Sequence, residues 1–253
     1  MKILAIGHSH IDALKFGYGD LIKREMLPFS MDFFRFDQPT NIESLIEESN
    51  SQGDLRMVVS SIAGSAHFIY GSINNPEPFD FVVPESPNLP LDRDAKLIPY
   101  DLIRKKLRSE LAPAMEVTKR IKSCTEAPIY LLSPPPPVGS PDAITTHINE
   151  AAARMSEGWV KRLQSDMRSR GIAPPALRYK LWSAFVDIAK QLCAELGIIF
   201  LPGPSEAKDG NGFLREEYRW DGFHANPRYG ELIVGQLIAL VQQPVVVGGV
   251  GGV

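Results

Sequence analysis

Two short stretches of this 253-residue chain carry side chains that could do chemistry together. His8-Ser9-His10 puts a hydroxyl between two imidazoles. Asp221-Gly-Phe-His224 puts a carboxylate three residues before an imidazole. A serine hydroxyl alone is a poor nucleophile. It needs a nearby base, usually histidine, itself oriented by a carboxylate. The second stretch offers base and orienter on one loop, so the carboxylate can hold one imidazole nitrogen while the other faces a serine. The first stretch also suits a different chemistry. Two imidazoles at alternate positions of an extended chain, His8 and His10, point the same way and could bind zinc.

These residues need elements to position them. The apolar run Ile3 to Ile6 ends at Gly7, just before His8. Such a run reads as a buried parallel strand, and ligands in open α/β sheets bind beyond the carboxyl ends of strands. Four more strands follow in the pattern: Met31–Phe36, Met57–Ile62, Pro128–Leu132 and Gly197–Leu201. The third ends at Ala63-Gly64-Ser65-Ala66-His67, again placing polar groups past a strand end. Helices are expected over 9–27, weakened by Gly17 and Gly19, and over 40–50, opened by the capping box Thr40-Asn-Ile-Glu43. Further helices are expected over 95–123, interrupted at Pro99 and Pro113, and over 144–169, 176–196 and 227–241, with Pro174-Pro175 as a break. Pro227 suits a first helical turn.

Strands alternating with helices predict a three-layer α/β/α sandwich around a five-stranded parallel sheet. Residues 1–243 read as one domain and 244–253 as a flexible low-complexity tail. The 72–94 segment carries five prolines, a length usual for functional loops. With the helices of 144–196 it is expected to rim the pocket. Pro134 to Pro137 form a stiff extended wall after the fourth strand. Trp220 is expected to pack behind the Asp221–His224 loop.

Composition narrows the classes. Apolar content of 44%, charged content of 23% and a net charge of −3 suit an ordinary globular protein. No basic stripe argues for nucleic acid. No run approaches the roughly 20 apolar residues of a membrane span, and the N-terminal run is too short for a signal peptide. Two distant cysteines, Cys124 and Cys193, suggest a reducing compartment. The expectation is a cytoplasmic protein acting on a small-molecule or acylated substrate.

Gly7-His8-Ser9-His10 after the first strand, with Asp221-x-x-His224 before the last helix, resembles the SGNH/GDSL hydrolases. The resemblance runs essentially the whole chain in order and spacing. It implies a flavodoxin-like fold and a serine esterase, lipase-like enzyme or deacetylase, with an acyltransferase as a variant. Ser9 would be the nucleophile, His224 the base and Asp221 its partner, with no cofactor and no metal. The sequence departs from the family at two places. His8 stands where aspartate is usual. The block with the oxyanion-binding asparagine falls on Ala63–His67, where Ser65 is the nearest substitute. Gly64, Ser65, His67 and His8 are the expected oxyanion and substrate-binding residues.

Other readings stand beside this one. Ser9 could serve only to cap a helix. His147, His10 and His67 could be structural. A metal-dependent hydrolase would use His8 and His10, recruiting His67 and His147. The absent asparagine suggests a third possibility, a catalytically silent binding module on the same fold.

Overall fold

The computed structural model describes residues 1–36, 41–51 and 54–242. In chain order these form β1 (Lys2–Gly7), α1 (His10–Ile22), β2 (Ser30–Arg35), α2 (Ile42–Ser51), β3 (Leu55–Ser60) and α3 (Ala66–Gly71). The short pair β4 (Phe79–Asp80) and β5 (Lys96–Leu97) precedes α4 (Tyr100–Ser123) and β6 (Ile129–Leu132). Then come α5 (Pro141–Arg154), α6 (Gly158–Arg170), α7 (Pro175–Leu196), β7 (Ile199–Leu201) and α8 (Pro227–Gln242).

Five strands pair in parallel in the order β2-β1-β3-β6-β7. That is the doubly wound, flavodoxin-like order. Alternation along the strands supplies both faces. Leu4, Ile6, Val58 and Leu131 face a core shared with α2, α4 and α7. Ile3, Ala5, Met57, Val59 and Leu132 face the other, shared with α1, α5 and α8. The strand order reverses between β1 and β3, so their carboxyl ends flank the crevice where such sheets bind ligands.

The glycines expected to interrupt the first helix do not; α1 is continuous. Its glycine instead permits close contact with α8. A Cβ on Gly17 would stand 2.5 Å from the Pro227 carbonyl oxygen, and one on Gly230 only 1.9 Å from the Ala13 carbonyl oxygen. Neither proline interrupts α4. Pro99 immediately precedes it, and Pro113 lies on its exposed face, where water can take up the carbonyl that proline leaves without a donor. The helix expected over 144–169 is two helices. Met155 and Glu157 adopt extended backbone between them, and Gln164 Nε2 donates to Asn149 Oδ1 across the pair at 2.9 Å. The short α3 had no counterpart in the sequence pattern. Thr40 of the expected capping box and the tail 244–253 lie outside the described residues.

The proline-rich segment 72–94 is an anchored flap. Lys180 Nζ of α7 donates to both oxygens of Asp80 at 2.8 and 2.9 Å and to the Pro90 carbonyl at 2.6 Å. Both charged side chains are buried. Asp80 also accepts from the amides of Phe81 and Asp92. A buried charge must be paired and hydrogen-bonded to be tolerated, and these bonds do that.

Candidate active site

Ser9 immediately precedes α1, and its side chain makes no capping hydrogen bond. Its Oγ lies 3.1 Å from His224 Nε2 instead. His224 Nδ1 lies 2.9 Å from Asp221 Oδ2 and 3.1 Å from Oδ1. Ser9, His224 and Asp221 thus form one continuous hydrogen-bonded chain between segments 215 residues apart.

The local sequence explains the shape of the Asp221 loop. Asp221 Oδ1 accepts from the amides of Phe223 at 2.7 Å and His224 at 2.8 Å, a turn that aspartate favours. The Trp220 amide donates to the His224 carbonyl at 2.9 Å and closes the loop. Just beyond, Asn226 Oδ1 accepts from the Tyr229 amide and caps α8 ahead of Pro227. Gly222 lets the loop sit against α5: a Cβ there would stand 2.8 Å from Ile144 Cα and 3.0 Å from His147 Cβ.

That contact brings in His147, expected to be structural or to be recruited by the metal alternative. His147 of α5 places Nδ1 3.5 Å from Asp221 Oδ2, and its ring meets Phe223 edge-on at 4.7 Å. Helical periodicity around His147 gave no signal of this, because the contact depends on how α5 docks. His10, the first residue of α1, lies 5.4 Å ring to ring from His224.

Electrostatics separate these groups. Burial pushes the Asp221 carboxyl up. The hydrogen bond and charge of His224, with the Phe223 and His224 amides, outweigh it and bring the carboxyl down to about 2. Asp221 is therefore an anion at neutral pH. Burial, and then the neighbouring His224, lowers His10 to about 4. Burial, and then His10, lowers His67 to about 3. Burial also lowers His147. These three imidazoles are neutral near pH 7.

The other expected residues are dispersed. Ser65 and His67 line the same cleft as Ser9 and His224. Ser65 makes no side-chain cap bond to α3. Gly64 adopts φ +73°, the left-handed backbone that glycine tolerates, and lines a small recess with His10 and Ser61. His67 packs 4.5 Å from the Phe185 ring, and its Nδ1 is buried without a hydrogen-bond partner among the described residues. His8 is exposed and meets Phe36 edge-on at 5.6 Å. It does not line the cleft. Trp220 is 54% exposed and stacks edge-on against Phe16 rather than packing behind the loop.

The metal alternative built on His8 and His10 meets a different geometry. Among the described residues the ligand atoms that converge, all within 4.8 Å of one another, belong to His147, Asp221 and His224. Asp221 and His224 are already engaged with each other there.

The cleft beside Ser9 encloses about 770 Å³. Its walls come from α3, α5, α6, the Pro135–Val138 segment and the Phe223 loop. Only Ser72 of the 72–94 segment reaches it, so that segment does not form the expected rim. Among the described residues no helix is long and apolar enough to cross a membrane.

No protein-family model and no curated protein sequence matches this chain. Solved structures similar to it include a GDSL-like lipase from Bacteroides thetaiotaomicron, 14% identical, covering 95% of this chain and 88% of that one with a TM-score of 0.44. Another is phospholipase A1 from Streptomyces albidoflavus, 12% identical, covering 96% and 99% with a TM-score of 0.46. A third is an acetyl-xylooligosaccharide esterase from Geobacillus, 12% identical, covering 96% and 94% with a TM-score of 0.44.

Proposed function

We propose that this protein is a carboxylic-ester hydrolase of the SGNH/GDSL type, acting through Ser9, His224 and Asp221. The observation that carries the reading is the Ser9–His224–Asp221 hydrogen-bond chain at the carboxyl ends of the central strands. Asp221, an anion held by two amides, keeps hydrogen on His224 Nδ1 and leaves Nε2 free to accept. Ser9 Oγ attacks the ester carbonyl carbon as His224 takes its proton. The tetrahedral intermediate collapses, the C–O bond breaks, and His224 returns the proton to the departing alcohol. Water then attacks the acyl-serine by the same route and releases the acid.

The developing oxyanion needs preorganised donors. The Ser9 amide and the Gly64–Ser65 turn are the candidates, with the Ser65 hydroxyl the nearest substitute for the family's asparagine. An alcohol acceptor in place of water would give acyl transfer from the same acyl-enzyme.

The test is covalent labelling with a fluorophosphonate, read by peptide mass spectrometry, beside turnover of p-nitrophenyl esters. Modification of Ser9, with turnover abolished in Ser9→Ala, is expected. An unlabelled Ser9 and no ester turnover would assign the fold a binding role instead.

A further inference from the structure

The cleft running from Ser9 is built for something apolar. Phe68 of α3, Ile144 and Ile148 of α5, and Val160 and Leu163 of α6 line it, with Phe223 beside the catalytic loop. Its volume of about 770 Å³ falls in the range that fills with a drug-sized ligand, far beyond the needs of an acetyl group. The apolar lining continues to the surface. Ile69 is 63% exposed, Met155 43% and Trp159 60%, and all three line the cleft. An aliphatic wall that starts at the nucleophile and ends in an exposed apolar rim matches a chain that slides in from an amphiphile.

The ordering of α5 and α6 accounts for this cleft. The chain breaks at 155–157, folds α6 back along α5, and leaves both apolar stripes turned partly toward α3 and the site. Had 144–169 been one helix, Trp159, Val160 and Leu163 would have been carried away from Ser9.

On the reading of Ser9 as nucleophile, we propose that the substrates are esters bearing a long unbranched aliphatic chain, held in the cleft between α3 and the α5–α6 pair. The apolar contacts act on the chain in the transition state as well as in the ground state. They therefore raise kcat/KM with each methylene that enters, by about fourfold per buried group before the cleft is full.

The experiment is a chain-length series on the purified full-length protein. One arm varies the acyl side as p-nitrophenyl acetate, butyrate, hexanoate, octanoate and decanoate. The other varies the alcohol side as acetate esters of the matching aliphatic alcohols, read by acid release. A steep rise in kcat/KM along either arm is expected, and the arm that rises identifies which side of the ester the chain occupies. Ala151→Phe, which fills the cleft from α5, is expected to lower the octanoate-to-acetate ratio of kcat/KM by at least about tenfold. Trp159→Ser at the exposed rim, which does not disturb the core, is expected to lower the same ratio by less. Fluorophosphonate labelling of Ser9 with flat profiles in both arms, or with acetate preferred throughout, overturns the aliphatic-chain assignment and leaves the hydrolase reading intact. Absence of both labelling and turnover overturns the two together.

Discussion

His147 and His224 approach the same carboxylate oxygen: their Nδ1 atoms lie 3.5 and 2.9 Å from Asp221 Oδ2. The two contacts are unequal. The His224 contact is a short hydrogen bond within a chain that continues to Ser9. The His147 contact, at 3.5 Å, is too long for a strong bond.

Variants at these positions should separate sharply. His147→Ala is expected to lower kcat by less than about tenfold, the scale of one modest hydrogen bond. Asp221→Asn should cost on the order of 10⁴ in kcat, because the amide favours the wrong imidazole tautomer. His224→Ala should cost on the order of 10⁴–10⁶. Steady-state kinetics on one activated ester decides it. A His147→Ala loss equal to that of His224→Ala would assign the base to the wrong histidine.

Acid should weaken the fold in two windows. Unfolded, His10 and His67 bind a proton below about pH 6.5; folded, they stay neutral to about 4 and about 3. The unfolded state therefore holds more protons in that interval, and stability falls as pH drops from about 6.5 toward 3. Asp221 contributes stability above the ordinary carboxylate range and loses it as pH falls toward about 2. Thermal melts across this range should show a shallower upper decline in His67→Asn than in the wild type. An identical decline in both would remove His67 from the account.

The α1–α8 crossing should be intolerant of a single methyl group. Gly230→Ala forces Cβ against the Ala13 carbonyl oxygen and should destabilise by about 1–3 kcal/mol. Because Ser9 directly precedes α1, the same substitution should slow ester turnover more than it raises KM. Urea denaturation and kinetics on the folded fraction test both halves. Gly235→Ala, on the same helix with open space around its Cβ, is the control.

Metal ions should oppose activity. Both nitrogens of His224 are occupied, Nδ1 by Asp221 and Nε2 by Ser9. A chelator is expected to leave turnover unchanged. Added zinc is expected to inhibit, drawing on His147, Asp221 and His224, and to do so less in His147→Ala. Activation by zinc after chelation would favour a metal-dependent hydrolase.

The strands and their order of appearance were legible because burial on both faces leaves an uninterrupted apolar run. Ile3 to Ile6 is such a run, and Met57 to Val59 is a shorter one. The Asp221–His224 turn was legible for a similar reason: its hydrogen bonds join residues two or three apart. Errors fell where a distant partner decides the outcome. Gly17 looked like a helix breaker, but its missing side chain makes room for α8. Pro113 looked like an interruption, but it lies on the exposed face of a continuous α4. The proline-rich 72–94 segment looked like a pocket rim, and the partner that anchors it, Lys180, lies 100 residues from Asp80.

The sequence by itself determined the alternation of strands and helices, the strand-end position of Ser9 and the local geometry linking Asp221 to His224. Each depends on interactions within a few residues or on a repeating burial pattern. Only the tertiary structure decided that Ser9 turns to His224 rather than capping α1, that His8 stands apart, that His147 reaches Asp221, and that α5 and α6 fold back to make an apolar cleft. Those outcomes depend on how separate elements dock. Docking is governed by side-chain shape across distances that no local pattern encodes.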